Sequence, residues 1–414
     1  MSIAWRDAMG QALYGPGGFF VAGTGPADHF RTSVHASPAF ATALLRLLTQ
    51  VDAALGHPAR FDVVDVGAGR GELLRTLAGL AHDPTGLAVG VSGEPAHSGR
   101  SRLIAAWSGS PETLTSTTSA RPAPDGPSLA AVPPSLAERV RFTAVEYAPR
   151  PENLPKEINW TSEIPTGITG VLLATEWLDN VPLDVAVHSE DGWRYVLVDP
   201  ESGAESIGDV VSLDDLDWLT KWWLSPTSLP STDRAPNPEV TWTGATSDSE
   251  SGFGATPHSD YLRAEIGRSR DEAWAEAVRK ISRGLAVAVD YGHLIGDRPV
   301  DGTLTGYRGG RQVPPVPDGS SDVTAHVAMD SVASAGAVVA RCAYSLVLQR
   351  EALRALGADG GRPPLSLAGT DPVGYVRTLA AASAVAELTD PAGLGGHWWL
   401  RQPVGIPLGS AVAR

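Results

Sequence analysis

At 414 residues and a formal net charge of −15, the chain is long enough for more than one domain and too acidic for nucleic acid to be its main partner. Its hydrophobic content of 43% and charged content of 19% are ordinary for a globular protein, so burial of a core is not limiting. One cysteine, Cys342, excludes an intrachain disulfide and a metal site built from several cysteines.

The sequence carries no signal for a membrane or a metal. The N-terminus lacks a basic start followed by an apolar core, and no stretch of about 18 uncharged apolar residues occurs, so we expect a cytoplasmic protein without a membrane partner. The ten histidines are scattered, and none forms a zinc-like pair at helical spacing. We therefore expect no metal site.

Residues 1–60 begin with a helix-like stretch and continue into a glycine-rich segment. From Tyr14 to Phe20 the sequence is Tyr-Gly-Pro-Gly-Gly-Phe-Phe, a density of Gly and Pro that excludes regular structure. A helix with Ser37 as its N-cap is predicted to reach Leu55. The glycine-rich segment is either a cover for a binding site or an ordinary connecting loop.

The next stretch joins a buried strand to a helix through three glycines. Apolar residues in 61–66 predict a strand buried on both faces, and residues 72–80 predict a helix. Between them, Gly67, Gly69 and Gly71 let the backbone turn sharply and approach a ligand, which the first free N–H groups of the helix would face.

The spacing of these glycines separates the turn from the commoner nucleotide-binding motifs. Asp65 begins the pattern Asp-x-Gly-x-Gly-x-Gly, whose third glycine falls one residue early for the dinucleotide fingerprint, and the Gly-Lys-Ser/Thr ending of a P-loop is absent. A glycine-rich turn also serves purely structural strand-to-helix junctions, so both interpretations stay open at this point.

A second strand follows after a long stretch without a sustained period. Residues 108–135 are rich in Pro, Ser, Thr, Gly and Ala and are predicted to be a flexible insertion. Residues 140–145 predict a strand that ends on Glu146, and an acidic residue at this position of a Rossmann-like site holds the ribose hydroxyls of a ligand. Glu94 competes for this role on spacing, but it precedes Pro95 and ends no clean strand.

Two further strands extend the predicted sheet. Residues 158–160 read as a short third strand, and residues 170–175 read as a buried fourth strand that leads into Glu176. Because ligands of open α/β sheets bind outside the carboxyl ends of the strands, Asp65, Glu146 and Glu176 are expected to gather at one edge. A single strand-end carboxylate is commonly just solvated, but three on successive strands beside a glycine turn indicate a binding site.

The middle of the chain combines a hairpin with an acidic segment. Residues 185–198 alternate in the manner of a hairpin. Residues 201–260 contain eleven Asp and Glu against two Lys and Arg, which indicates a solvated insert. Its tryptophans are predicted to pack along an amphipathic helix rather than to stack on a ligand: Trp218, Trp222 and Trp223.

Helix and strand signals return after this insert. Ser269 and Glu272 form a capping-box pair, and Gly284 is predicted to close the helix that follows them. Further predicted elements are a buried strand over 285–290 and helices over 349–356 and from Asp371-Pro372 onwards.

An ordered series of short motifs runs through nearly the full length of the chain. Its members are Tyr14 to Phe20, Phe30-x-Thr32-Ser33, Asp65 to Gly71, Glu146, Glu176 to Pro182, Asp290-Tyr291-Gly292, Gly302-Thr303-Leu304 with Tyr307, and Asp322-x-Thr324-Ala325-His326-Val327. In this order they resemble the MidA family of S-adenosylmethionine-dependent methyltransferases, which includes the mitochondrial complex I assembly methyltransferase. Several of these segments are individually unusual, so their agreement in order is much more specific than the glycine turn.

The chain departs from the family pattern in three places. Thr175 stands where the family tends to have Asn, and Val34-His35 follow the Thr-Ser pair where the family tends to have Pro-Glu. Prolines also replace the expected helix after the second strand, at Pro149, Pro151 and Pro155. These departures leave the cofactor motifs intact and leave the acceptor open.

The resemblance implies an α/β fold, with a Rossmann-like class I methyltransferase sheet, an N-terminal helical and loop cap, and a second lobe built from insertions. The cap would be residues 1–60. The core would comprise 61–200 and 261–414, with the flexible insertion at 108–135 and the acidic insert at 201–260.

The resemblance also assigns residues to S-adenosylmethionine. Gly67, Gly69 and Gly71 would pass beside its methionine part, with Asp65 holding the turn. Glu146 would bind the ribose and Trp160 could lie near the adenine. Two roles stay open for Glu176: contact with the cofactor alone, or with the acceptor as well. Family membership implies methyl transfer, to an arginine of a partner protein in the mitochondrial relative.

A guanidinium acceptor enters fully charged and needs a carboxylate to hold it and to ease proton loss. Glu176 is the first candidate for this catalytic role and Asp179 the second. The candidates for the substrate side are Tyr14, Gly17, Gly18, Arg31, Tyr291 and His326. An ordinary structural role remains the alternative for each of these residues.

Three functions are compatible with the sequence. The first is a protein methyltransferase, with arginine as the favoured acceptor and a protein substrate as the partner. The second is a methyltransferase for a small molecule, and the third is a non-catalytic assembly factor that keeps the fold and the cofactor site. The sequence leaves a homodimer open.

Overall fold

The computed structural model describes residues 1–22, 33, 38–82, 134–223, 262–358 and 360–406, and its fold is mixed α/β, as expected from the sequence. Among these residues the helices are α1 (Trp5–Tyr14), α2 (Phe19–Ala22), α3 (Pro38–Ala54), α4 (Glu72–His82), α5 (Leu136–Arg139), α6 (Leu213–Trp222), α7 (Arg268–Arg279), α8 (Met329–Ala340), α9 (Gln349–Ala355), α10 (Leu365–Thr370) and α11 (Pro372–Thr389). The first strands are β1 (Ile3–Ala4), β2 (Phe61–Val66), β3 (Val140–Val145), β4 (Ile158–Thr161), β5 (Ile168–Thr175), β6 (Asp184–Ser189), β7 (Gly192–Val198) and β8 (Glu205–Val210). The remaining strands are β9 (Arg263–Ile266), β10 (Ile281–Asp290), β11 (Gly292–His293), β12 (Thr305–Arg308), β13 (Arg311–Val313), β14 (Asp322–Thr324), β15 (Val327–Ala328), β16 (Ser345–Leu348) and β17 (Trp398–Val404).

The main sheet has seven strands in the order β16-β17-β10-β5-β2-β3-β4. The five strands from β10 to β4 are parallel to one another, and β17 runs antiparallel to both of its neighbours. The carboxyl ends of the parallel strands therefore meet at one edge, where β2 leads into the glycine turn, β3 into Glu146 and β5 into Glu176. The predicted strands and their common edge are confirmed.

Helices cover both faces of this sheet, which explains why every residue of β2 is buried. On one face, α3 and α4 pack against β2 and β3 through residues such as Phe40, Leu44 and Leu74. On the other face, α7 and α8 contribute Trp274 and Val332. Burying side chains of this size contributes about 1.5–3 kcal/mol each, so the sheet is held rigidly beneath the edge that it presents.

The structure corrects two predictions for α7. Ser269 and Glu272 do not form a capping box: Gly267 is the N-cap and no side chain bonds there, while the Ser269 hydroxyl donates to the Pro182 carbonyl. Gly284 does not close the helix, because it lies within β10 opposite Gly170 of β5.

Both glycines of that cross-strand pair have φ near +147°, and a Cβ at either would collide with the backbone of the neighbouring strand. Gly284 therefore marks a close approach of two strands beside a β-bulge, and not the end of a helix.

A second sheet contains β6, β7, β8 and β9, with the short β1 pairing at the end of β7. Its β6–β7 hairpin confirms the prediction for 185–198. The start of the acidic segment forms β8 and α6, and Trp218 and Trp223 are buried against this sheet, so their predicted packing role is confirmed. The Trp218 indole donates to Asp271 at 2.8 Å, while residues 224–260 of the segment lie outside the described residues.

The N-terminal helix α1 packs on the second sheet through Trp5, Met9 and Leu13. The segment that follows it is not irregular throughout, as the sequence suggested, because Phe19 and Phe20 begin α2. Gly18 makes the turn between the helices possible, since a Cβ there would lie 2.8 Å from the Leu13 carbonyl. This turn brings the end of α1 to the edge of the main sheet.

Candidate functional site

A cavity of about 690 Å³ lies at the carboxyl ends of β2, β3 and β5. This volume is typical of sites for small molecules and cofactors. We call residues 65–70, 72 and 73 with 145–149 its glycine half, and Tyr14, Phe20, residues 175–177, Asp179 and Asn180 its acidic half. The other lining residues are Val21, Pro151, Ser162, Glu163, Ile164, Glu276 and Lys280.

The glycine turn forms one wall of the cavity. Gly67 and Gly69 have φ of +71° and +57°, a left-handed conformation that other residues adopt at a cost of about 1–2 kcal/mol. A Cβ on Gly67 would lie 3.1 Å from the Trp177 ring, so glycine is also needed for this close approach. Gly71, which the sequence predicts to contact the cofactor, is not among the lining residues. A Cβ there would lie 2.7 Å from Leu154 Cδ1, so a glycine is needed for α4 to start beside Leu154.

Glu146 closes the glycine half from the end of β3. Its Oε2 accepts a hydrogen bond from the Gly69 N–H at 3.0 Å, and its Oε1 accepts one from the Tyr147 N–H at 2.7 Å. Oε1 also accepts a longer bond from the Ala148 N–H at 3.4 Å, whereas Oε2 can accept a second bond, so Glu146 keeps acceptor capacity for a hydroxyl in the cavity. Burial raises the pKa of this carboxyl, and the backbone N–H donors oppose that shift.

Asp65 lies at the floor of the same half and is fully buried beneath the turn. Burial raises the pKa of its carboxyl to about 8, and the charges of Glu146 and Glu72 act in the same direction. Such a shift favours a protonated carboxyl at neutral pH, which can donate a hydrogen bond as well as accept one.

Trp160, the residue predicted near an adenine, does not line the cavity. Its indole N–H donates to the Ala148 carbonyl at 3.1 Å, and its ring packs against the main core. The cavity is bordered near the end of β4 by Ser162, Glu163 and Ile164 instead, which follow the predicted strand by two to four residues. The sequence of residues 158–160 predicts a short strand, but it does not show which residue of the strand or of the loop after it faces the cavity.

Glu176 begins the acidic half with a strained backbone, since its φ is +52°. Its Oε1 accepts a hydrogen bond from the Ser33 N–H at 2.9 Å, which ties the N-terminal region to the end of β5. Burial raises the pKa of its carboxyl to about 8, opposed by the Ser33 bond and reinforced by the charge of Asp179.

Asp179 lies in the short turn Leu178–Asn180 and is 3% exposed. Its Oδ2 accepts hydrogen bonds from the hydroxyls of Tyr291 and of Thr324, the latter at 2.8 Å. Its Oδ1 has no partner although it is buried. An unpartnered buried carboxylate oxygen is costly, and it belongs to a residue that lines the cavity.

The backbone of the Asp179 turn is held by a second buried carboxylate. Asp290, at the end of β10, accepts hydrogen bonds from the N–H groups of Leu178 at 3.0 Å and of Asp179 at 3.3 Å. Burial raises the pKa of Asp290 well above its ordinary value, and the charges of Asp179 and Glu176 add to the shift. Four acidic side chains, including Asp322 of β14, thus influence one another in this half.

Aromatic side chains from the N-terminal region form the outer wall of the acidic half. The Tyr14 hydroxyl donates to the Asn180 carbonyl at 3.2 Å, and its ring contacts those of Phe20 and Tyr147 at centroid distances of 5.7 and 5.6 Å. Tyr14 therefore lines the cavity, whereas Gly17 and Gly18 form the turn behind it and are not among the lining residues. Arg31 lies outside the described residues.

Tyr291 and His326 lie behind Asp179 rather than on the cavity surface. The Tyr291 hydroxyl donates to Asp179, and the ring of His326 contacts the Tyr291 ring at 5.2 Å. Burial lowers the pKa of His326, which favours a neutral imidazole. Both residues therefore support the carboxylate of Asp179, which lines the cavity, and their contact with a substrate stays a prediction.

The chain was compared with known proteins. A family model of S-adenosyl-L-methionine-dependent methyltransferases, Methyltransf_28, matches residues 119–345, which is more than half of the chain. The chain belongs to this family. The curated proteins contain no match.

Two solved structures from Burkholderia thailandensis share the fold of this family member. One is a COG1565 superfamily member bound to S-adenosyl-homocysteine, with a TM-score of 0.63 and 20% identity over 99% of this chain and 90% of that chain. The other is a native COG1565 superfamily protein, with a TM-score of 0.61 and 20% identity over the same shares. At this identity the likeness shows the fold alone.

Across the part of the chain that the structure describes, no group of three or more His, Cys, Asp and Glu is arranged to hold a metal ion. Within the same residues, no helix combines the length and the apolar character needed to cross a bilayer.

Proposed function

We propose that this family member is a class I S-adenosylmethionine-dependent methyltransferase with a Rossmann-like sheet, and that it methylates a cationic side-chain nitrogen of a protein, arginine being favoured. The observation that carries the proposal is Asp179, which lines the cavity beside Glu176 and whose buried Oδ1 has no hydrogen-bond partner. A guanidinium is a planar cation with five N–H donors and no acceptor, so it complements this oxygen.

The glycine half has the features needed to hold the methyl donor. Gly67 and Gly69 allow the backbone to approach a ligand, and Glu146 keeps acceptor capacity for a ribose hydroxyl. Asp65, buried below the turn, would hold it in shape. S-Adenosyl-homocysteine in the related Burkholderia protein supports this assignment.

When bound, S-adenosylmethionine supplies a methyl group already activated by its sulfonium, so the protein mainly has to align the acceptor and exclude water. Tyr14, Phe20 and Tyr147 provide an apolar wall opposite the carboxylates. Asp179 would hold the cationic nitrogen by a charge-assisted hydrogen bond and ease the loss of its proton.

Glu176 would act beside Asp179. Its pKa of about 8 favours the protonated form when no cation is nearby. A guanidinium within about 4–6 Å would favour the ionised form, so acceptor binding and deprotonation of Glu176 are coupled. The net charge of −15 further suits a basic partner.

Transfer of labelled methyl groups tests the proposal and its rivals. The purified protein, labelled S-adenosylmethionine and a lysate of the source cells are incubated, and label is counted in the protein and small-molecule fractions. We expect label in protein, on arginine after hydrolysis, with Asp179→Asn as the inactive control. Label in small molecules alone would favour the small-molecule enzyme, and cofactor binding by calorimetry without label in either fraction would favour the assembly factor.

A further inference from the structure

One arginine lies behind the acidic half and is outside every motif of the sequence analysis. Arg270, on the first turn of α7, is 1% exposed. Its guanidinium donates hydrogen bonds to four backbone carbonyls: those of Asp179, Val181 at 3.1 Å, Ala325 at 3.0 Å and His326 at 2.9 Å. Each of these acceptors is neutral, so no carboxylate is bonded to this charge directly.

The four carbonyls belong to two segments that are remote in sequence. Asp179 and Val181 follow β5 of the main sheet, whereas Ala325 and His326 follow β14 of a small three-stranded sheet. The segments also meet through the Ala325 N–H, which donates to the Asp179 carbonyl at 3.3 Å. Arg270 therefore fixes the turn that carries Asp179 against the strand that carries Thr324, one of its two side-chain donors.

The charge of Arg270 acts on the same carboxylates. It lowers the pKa values of Asp179 and of Asp290, against the raising effect of burial. Most of the other titratable groups that interact with Asp179 are acidic or phenolic and come from several elements: Tyr14 of α1, Glu176 after β5, Asp290 of β10, Tyr291 after it, Tyr307 of β12 and Asp322 of β14. The exception is the imidazole of His326, whose pKa is lowered by burial. A buried acidic group of this kind needs a compensating cation.

We propose that Arg270 is a positioning residue for methyl transfer: it clamps the 179–181 turn onto 325–326, so that Asp179 turns its unpartnered Oδ1 towards the cavity, and it supplies the compensating positive charge. The inference rests on the proposed function. Its planar fork of donors reaches carbonyls in several directions at once, which the single ammonium of lysine cannot do.

Two substitutions distinguish the positioning role of Arg270 from the role of its positive charge. Arg270→Lys keeps the charge but loses the fork, so we expect kcat to fall about tenfold while the acid limb of the pH profile stays in place. Arg270→Gln loses both, so we expect kcat to fall about 100-fold or more and the acid limb to move to higher pH by about one unit, because Asp179 loses its cation.

The matched control is Arg268→Gln. Arg268 lies on the same helix, is about one third exposed and pairs with Asp215 and Glu272, away from the cavity. We expect wild-type kinetics from it. In every variant the affinity for S-adenosylmethionine, measured by calorimetry, should stay within about threefold, since the glycine half is untouched and binding reports a folded site.

A titration that needs no methyl acceptor keeps this inference separate from the proposed function. Protein labelled with 13C at aspartate carboxyls is titrated between about pH 5 and 9, with Asp179→Asn assigning the signal. We expect the midpoint of Asp179 to rise in Arg270→Gln and to stay near the wild-type value in Arg270→Lys. An unchanged midpoint in Arg270→Gln overturns the inference, even if the wild-type protein methylates nothing.

If Arg270→Gln does not fold, Arg270→Lys still tests the positioning role. Wild-type kcat and KM in folded Arg270→Lys would overturn the positioning role, whatever the glutamine variant does. Absence of methyl transfer by the wild-type protein, together with the expected Asp179 titration, would instead reject the proposed function and leave the clamp established.

Discussion

The glycine half and the acidic half of the cavity differ in how far apart their parts lie in the sequence. The glycine half takes most of its contacts from residues 65–73, and only Glu146 and its neighbours come from elsewhere. The acidic half depends on Asp179, whose donors Tyr291 and Thr324 lie more than 100 residues away. A binding motif within a few residues can thus be recognised from the sequence, whereas the role of a carboxylate that remote elements hold in place can be recognised only from the structure.

The two halves also hold their carboxyls differently, although burial raises the pKa values in both. In the glycine half, Asp65 and Glu146 lie beside a left-handed turn that permits close approach, whereas in the acidic half the charge of Asp179 raises the pKa values of Glu176 and Asp290 further. Perturbed carboxylates of this kind cluster at functional sites. If this division is correct, substitutions in the acidic half should change methyl transfer, and substitutions in the glycine half should change cofactor affinity.

The largest effect is expected from Asp179→Asn. Loss of the carboxylate removes both the charge that holds the cationic nitrogen and the acceptor for its proton, so kcat/KM should fall by about 10²- to 10⁴-fold. Cofactor affinity should change little. Methyl-transfer kinetics and calorimetry measure the two quantities, and Asp209→Asn, at an exposed position of β8, is the matched control. Weakened cofactor binding with an unchanged rate for bound complexes would contradict the division.

The converse effect is expected from Gly69→Val. Gly69 has φ of +57° and lines the cavity, and a Cβ there would meet only the Glu72 carboxylate at 3.6 Å, so we expect a valine to strain the turn and to take up space beside the cofactor. Cofactor affinity should fall by about tenfold to 100-fold, equivalent to about 1.4–2.8 kcal/mol.

Gly56→Val is the matched control for Gly69→Val. Gly56 has a similar φ of +75° with nothing nearby, so it carries the same backbone strain outside the cavity. Each variant should lose about 1–2 kcal/mol of stability in thermal unfolding. Equal cofactor affinity in the two variants would place the methyl donor elsewhere.

Glu176→Gln should have a smaller effect, of about tenfold on kcat/KM, because the carboxyl is already largely protonated near neutral pH. In the wild-type protein the rate should rise as pH passes through about 8, since only the ionised form holds a cation. The glutamine variant should lose this rise. Loss of cofactor affinity instead of the pH dependence would assign Glu176 to the methyl donor.

The same titration acts in the opposite direction on stability. A buried carboxyl with a raised pKa stabilises the fold fully below its unfolded pKa, and the contribution is lost as pH rises through the folded value of about 8. Unfolding of the cofactor-free protein should therefore become easier between about pH 5 and 8, and less steeply so in Glu176→Gln.

The smallest effect is expected from Trp160→Phe. The ring packs in the core and its indole N–H bonds to the Ala148 carbonyl, so the substitution should cost about 1 kcal/mol of stability. Cofactor affinity should stay within about twofold. A loss of affinity beyond tenfold would restore the adenine contact that the sequence suggested.

Much of the sheet and the glycine half followed from the sequence because their determinants are local. The run 61–66 is apolar enough to be buried on both faces, and Gly67 and Gly69 mark the left-handed turn directly after it. Glu146 could be chosen because it ends a clean strand. Such signals depend on residues within one strand or one turn of each other.

The errors arose where a residue has more than one structural use. Gly284 was read as a helix end although its glycine is required by the opposite strand, at Gly170. The support that Tyr291 gives to Asp179 was equally invisible, since a motif does not show whether a side chain faces a cavity or a carboxylate behind it. The sequence does not indicate the role of Arg270, because its four acceptors are backbone carbonyls, which every residue type carries.

The left-handed backbone of Glu176 sets thermostability against function in this protein. A non-glycine residue at φ of +52° costs about 1–2 kcal/mol, and its side chain adds a buried acid to the acidic half. Glycine or asparagine at this position would relieve both costs. Selection of thermostable variants by melting temperature alone would therefore recover changes at position 176, and we expect those variants to be the best folded and the least active of the collection.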